Sequence, residues 1–129
     1  MNDIIVSRRT FLAGAGALAA APSVTLGQAQ RIFKVALVGC GGRGSGAVRD
    51  IIGAAERLGH KVMLVGAADY FREKALNVCK SHGCDEKFAF GGADGYKKIM
   101  EGDAEIVLLA APPIFRPRHA EACVKAGKH

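Results

Sequence analysis

The residues of this chain best placed to do chemistry are Gly39-Cys40-Gly41-Gly42-Arg43-Gly44, a G-x-G-x-x-G run, and Asp69, 25 residues past its last glycine. The chemistry of such a pair is dinucleotide binding. Gly39 permits a tight turn, Gly41 lets the backbone approach a pyrophosphate, and Gly44 lets a helix pack closely on its strand. The free N–H groups and partial positive charge of that helix start then face the phosphates. A carboxylate at Asp69 accepts hydrogen bonds from the adenosine ribose hydroxyls and repels a 2′-phosphate, which predicts NAD in preference to NADP. It can also cap the helix after it. Arg72, three residues on, is the residue that would admit NADP. Arg43 either reaches the pyrophosphate or is solvated, and Cys40 packs under the loop with no base placed to activate it.

Rival chemistries have less behind them. Gly42-Arg43-Gly44-Ser45-Gly46 also spells the G-x-G-x-G of S-adenosylmethionine-dependent methyltransferases, but Gly39 is the glycine that directly ends the apolar run Val35 to Val38. The cysteines Cys40, Cys79, Cys84 and Cys123 form no C-x-x-C pair, and His82 beside two of them has no matching second half, so no metal site is predicted. A Cys79–Cys84 disulfide stays open on sequence alone. His119 reads as a packed or capping histidine, and His60 and His82 as helix-end or loop residues. The net charge of +6 is scattered without basic blocks or interleaved aromatics, which gives nucleic-acid binding little support.

The elements that would hold the loop alternate in period. Ile32 to Val38 is a β-branched apolar run, as in a strand covered on both faces. A helical face follows in Ala47, Val48, Ile51, Ile52, Ala55 and Leu58, stopped by Gly59. Val62 to Ala67 is a second strand, and residues 71 to 82 a helix stopped by Gly83. Lys87 to Phe90 is a short strand, and Asp94 caps a helix through Met100. Glu105 to Ala110 is a further strand, ended by Pro112-Pro113. Pro117 opens a last helix, closed by Gly127, with Ala120, Cys123 and Val124 as its buried face. Strands alternating with helices predict a Rossmann-type, doubly wound parallel α/β sheet over residues 31–129.

Residues 1–30 read as an address. Ser7-Arg8-Arg9-Thr10-Phe11-Leu12 precedes an Ala/Gly-rich apolar stretch, then Pro22 and a small-residue cut site after Ala29. Paired arginines with Phe and Leu close behind are the twin-arginine pattern, against an ordinary secretory signal as rival, and predict a periplasmic or otherwise exported protein. The stretch is too short for a stable membrane anchor, and no cysteine near the cut invites lipid attachment.

Three stretches together resemble the glucose–fructose oxidoreductase and inositol dehydrogenase family (Gfo/Idh/MocA). They are Val35 to Gly44, Glu105 to Pro113 with its Leu-Leu-Ala-Ala-Pro-Pro ending, and His119 to His129 with its Ala-Gly-Lys-His finish. The resemblance implies an NAD(P)-dependent oxidoreductase of sugars or polyols, with Ala111 and Pro112 beside the cofactor. Ala111 stands where the family usually has threonine, so a hydroxyl is lost there while backbone contacts stay available. The family's Glu-Lys-Pro motif, with its acid/base lysine, follows the Ala-Gly-Lys-His stretch, and a substrate domain comes after it. The expectation is thus a nucleotide-binding domain incomplete at its C-terminal end, with no catalytic residue within 31–129 and a sugar or polyol substrate only in a longer parent. A missing next strand would leave a sheet edge favouring homo-oligomers. A non-catalytic nucleotide-binding module is the alternative.

Overall fold

The structure, a computed structural model, describes residues 29–129; residues 1–28 of the expected export signal lie outside the described residues. Four strands alternate with four helices: β1 Ile32–Val38, α1 Gly42–Arg57, β2 Lys61–Ala68, α2 Arg72–Ser81, β3 Ala89–Phe90, α3 Gly95–Glu101, β4 Ile106–Leu109 and α4 Arg116–Lys125. Short 3₁₀ turns over Glu86–Phe88 and Pro113–Phe115 lead into β3 and α4. All strand pairings are parallel, in the order β3-β2-β1-β4, the doubly wound arrangement expected from the alternating pattern. The β1–β2 register slips by one residue after Val35, opposite Val65.

Side chains of the central strand alternate between two cores, which explains why β1 is apolar on both faces. Leu37 packs with Val48 of α1 and with Ala75, Val78 and Cys79 of α2. Ala36 and Val38 face the other way, against Tyr96 and Ile99 of α3 and Cys123 of α4. Leu37 and Val48 are wholly buried, and truncating Leu37 to alanine should cost about 2–5 kcal/mol. Along the outer edge of β4, the His129 N–H donates to the Glu105 carbonyl and the His129 carbonyl accepts from Val107 N–H. Among the described residues, no helix is long and apolar enough to cross a membrane.

Three details differ from the sequence reading. First, α1 begins at Gly42, inside the glycine loop, and its expected last apolar contact, Leu58, is the helix cap and stands 72% exposed. Second, α4 buries His119 and Cys123 with Ala122 partly covered, whereas Ala120 and Val124 face outward. A helix spaces one face at three and four residues, so the burial of His119 sets the stripe and turns Val124 away from the sheet. Third, Asp94 stands at the N-cap of α3, where its backbone carbonyl accepts the Lys97 N–H but its side chain accepts no helix N–H; its carboxylate pairs with Lys97 and Arg118 instead.

Candidate functional site

The site forms where the C-terminal ends of β1, β2 and β4 meet, the position at which open parallel sheets hold ligands. Gly39 leaves β1 with φ +96, donating its N–H to the Ala68 carbonyl at 2.8 Å. A Cβ there would lie 2.6 Å from the Ala110 carbonyl carbon, so a side chain would both strain the backbone and strike the β4 loop. A Cβ on Gly44 would overlap the Gly39 carbonyl oxygen, which makes Gly44 the point where α1 touches the strand. Gly41 and Gly42, by contrast, have open space where a Cβ would stand. Among the described residues no side chain caps α1, so the N–H groups of its first turn are left free to meet an anion.

Asp69 ties the loop to the second strand. Its Oδ2 accepts the Cys40 N–H at 2.8 Å and its Oδ1 accepts the Phe71 N–H at 3.0 Å. One carboxylate therefore fixes both the glycine turn and the entry to α2, and each oxygen keeps a second lone pair for a ligand hydroxyl. The Cys40 thiol donates to the Ala68 carbonyl at 3.5 Å. Burial, and then the Asp69 charge, push it up to about 12, so it is an inert thiol and not a nucleophile.

A cavity of about 660 Å³ opens over these residues. Of the residues singled out from sequence, Gly39, Gly41, Gly42, Arg43, Asp69, Ala111 and Pro112 line it. Cys40 and Gly44 do not. Both are buried beneath the loop, where Cys40 joins the core and Gly44 seats the helix. Arg72 is also turned away, its Nε donating to the Ala89 carbonyl at 3.0 Å with its Cβ against Gly91. The cation that does reach the cavity from α2 is Lys74, whose ammonium lies 5.1 Å from the Phe71 ring centroid.

The opposite wall was not foreseen. Tyr96 of α3 and His119 of α4 line the cavity with their rings 4.3 Å apart, and Phe115 stacks on His119 at 6.3 Å. His119 is buried, as expected of a packed histidine, yet its Nδ1 has no hydrogen-bond partner among the described residues. Burial first, and Arg118 second, hold its pKa below the ordinary imidazole value. The ring is therefore neutral at pH 7, and the tautomer protonated on Nε2 avoids burying an unpaired N–H donor at Nδ1. Arg116, at the cavity rim, is pinned by its Nε to the Ala111 carbonyl at 2.8 Å. The lining charges are thus Arg43, Lys74 and Arg116 against Asp69, a balance suited to a dianionic ligand. Among the described residues no His/Cys/Asp/Glu group is arranged to hold a metal.

No protein-family model matches the chain, and no curated protein matches it in sequence. Solved structures do match. The WlbA dehydrogenase from Bordetella pertussis, in complex with NADH and UDP-GlcNAcA, is 26% identical, with a TM-score of 0.57, over 78% of this chain and 27% of its own. The UDP-N-acetylglucosamine 3-dehydrogenase GnnA from Acidithiobacillus ferrooxidans is 20% identical, with a TM-score of 0.57, over 76% of this chain and 28% of its own. An NAD binding oxidoreductase from Klebsiella pneumoniae is 21% identical, with a TM-score of 0.56, over 75% and 26%. The chain spans about a quarter of the length of these structures. The likeness shows the fold: a Rossmann-type α/β domain shared with NAD-binding dehydrogenases.

Proposed function

We propose that residues 31–129 bind NAD(H), as the nucleotide-binding domain of an oxidoreductase acting on a sugar or polyol. The observation that carries this is Asp69, held at the tip of β2 by the glycine loop and lining one cavity with the uncapped start of α1. The residues fit the cofactor. Gly41 and Gly42 leave room for a pyrophosphate against the backbone, the α1 N–H groups and Arg43 supply its counter-charge, and the Asp69 oxygens suit ribose hydroxyls. Ala111, where the resembling family carries threonine, can still offer backbone. Bound NAD supplies a hydride acceptor at nicotinamide C4. The part of this chain is to bind and orient it, with the Tyr96–His119–Phe115 rings as an apolar wall opposite the glycine loop.

The Bordetella pertussis WlbA dehydrogenase supports the reading further, because it is in complex with NADH and a nucleotide sugar, UDP-GlcNAcA. Titrating the protein with NADH, NADPH and S-adenosylmethionine tests it. Saturable binding of NADH, tighter than NADPH and with S-adenosylmethionine inert, is the expected result; S-adenosylmethionine binding alone would move the chain to the methyltransferase reading. Export through the twin-arginine route is part of the same proposal, motivated by Arg8 and Arg9. Replacing both by lysine should hold the protein in the cytoplasm, and continued export of that variant would point to the general secretory route.

A further inference from the structure

At the C-terminal end of α2, away from the cavity, two cysteines meet across a helix stop. The Cys84 N–H donates to the Cys79 carbonyl at 2.9 Å, and Gly83 between them has φ +68. This is the six-residue closure in which the third residue from a helix end and the second beyond the helix cap come side by side. The hydrogen bond itself limits their separation. Adding standard bond lengths to 2.9 Å gives about 7.1 Å if every bond lay in a line, and the bent Cα–C=O angle alone lowers that ceiling to about 6.8 Å. The chain is bent, so the true distance is shorter, inside the range a disulfide spans. Both side chains are buried in the same cluster and both are free thiols in this structure, the Cys84 thiol donating to the Asp85 carbonyl at 3.7 Å. Cys123 lies in the core on the other face of the sheet, and Cys40 is engaged with the Ala68 carbonyl.

We propose that Cys79 and Cys84 are a redox-sensitive pair that closes to a disulfide across the end of α2, with a small-molecule disulfide such as oxidised glutathione as the oxidant. One protein thiol loses its proton to solvent and attacks a glutathione sulfur, forming a mixed disulfide and releasing one glutathione thiolate. The second protein thiol, deprotonated in turn, attacks the protein sulfur of that mixed disulfide and releases the second. Two protein thiols are oxidised, one glutathione disulfide is reduced to two thiols, and one S–S bond replaces another. Cys84 is the entry point, at 8% exposed against 0% for Cys79. Burial pushes both thiols up, Cys79 to about 12, so exchange in the folded protein waits on fraying of the helix end. The inference is independent of the cofactor reading.

The test is to equilibrate the full chain in glutathione buffers from reduced to oxidised, block free thiols, and map the tryptic peptides. Residues 75–80 and 81–87 should be cross-linked in oxidised buffer, with Cys40 and Cys123 still open to alkylation. Tm should rise by about 5 °C on oxidation, and not in Cys84→Ala. Refolding the chain from urea through the same buffers removes access as a variable. A Cys40–Cys79 link, a persistent glutathione adduct on either residue, or four free thiols after oxidative refolding would overturn the pair.

Discussion

The two walls of the cavity are built in opposite ways. The glycine-loop wall is made by leaving side chains out: Gly39 and Gly44 touch backbone where a Cβ would stand, and Asp69 bonds only to main-chain N–H groups. The facing wall is made by putting large rings in, with Tyr96, Phe115 and His119 packed on one another and an Nδ1 without a partner. The first wall is fixed before any ligand arrives, because its geometry is steric and Asp69 ties the loop to β2 through two main-chain N–H groups, while the α1 start keeps N–H groups free for a ligand. The second has a polar atom still unmatched and no backbone lock. Ligand position should therefore be dictated by the loop, and the ring wall should be the more tolerant of change.

Glycine substitutions break that contrast most sharply. Gly44→Ala drives a methyl into the Gly39 carbonyl, with no flexible side chain to give way. We expect a loss of about 3 kcal/mol in urea unfolding, and NADH binding lost with it. Gly41→Ala meets nothing within 4 Å among the described residues, so stability should be unchanged. If a pyrophosphate lies against that backbone, the same methyl should weaken NADH binding about a hundredfold, or by about 2.7 kcal/mol. A Gly41→Ala protein that binds NADH normally would remove the phosphate from the loop.

Asp69 sharpens the comparison next, since it ties the loop to β2 and is the proposed ribose contact. Asp69→Ala frees the Cys40 and Phe71 N–H groups, at a cost of about 2 kcal/mol in stability. NADH should bind about tenfold more weakly, while NADPH changes less because a like charge near the 2′-phosphate has gone. Unchanged affinity for both cofactors, in a variant that stays folded, would take Asp69 out of the ribose site.

The loop wall could be read from sequence and the ring wall could not, for a physical reason. A glycine with a steric task leaves a mark at fixed spacing, and Asp69 follows a strand whose end is visible in the apolar run before it. Tyr96 and His119 are 23 positions apart and meet only because α3 and α4 share a face of the sheet, which no local period records. The same gap misplaced the cation that reaches the cavity from α2. Arg72 and Lys74 both open α2, but a helix turns about 200° over two residues, so only one can face the cavity. A carbonyl at Ala89 takes Arg72. Val124 failed likewise: its apolarity suggested burial, whereas the face of α4 was decided by His119.

His119 carries the smallest expected effect and the most direct test of the ring wall. In the unfolded chain its imidazole takes a proton near 6.5, and in the folded protein burial and Arg118 set the value lower. Between the two values the unfolded state holds more protons, so stability must fall as pH drops through that interval. It is full above about 6.5 and levels off once pH passes below the folded value. Phenylalanine at this position keeps a ring against Tyr96, removes the unmatched nitrogen and cannot titrate. Urea midpoints of wild type and His119→Phe should therefore run parallel above pH 7 and separate below it, with wild type losing stability faster as the acid side is entered. The other histidines are common to both proteins and cancel in the difference. NADH affinity at pH 8 should change by less than about threefold, small beside the Gly41 effect, if the loop and not the rings sets ligand position. Parallel midpoints down to pH 5 would mean that the His119 proton is held as easily in the folded protein as in water, and that the ring wall is open to solvent.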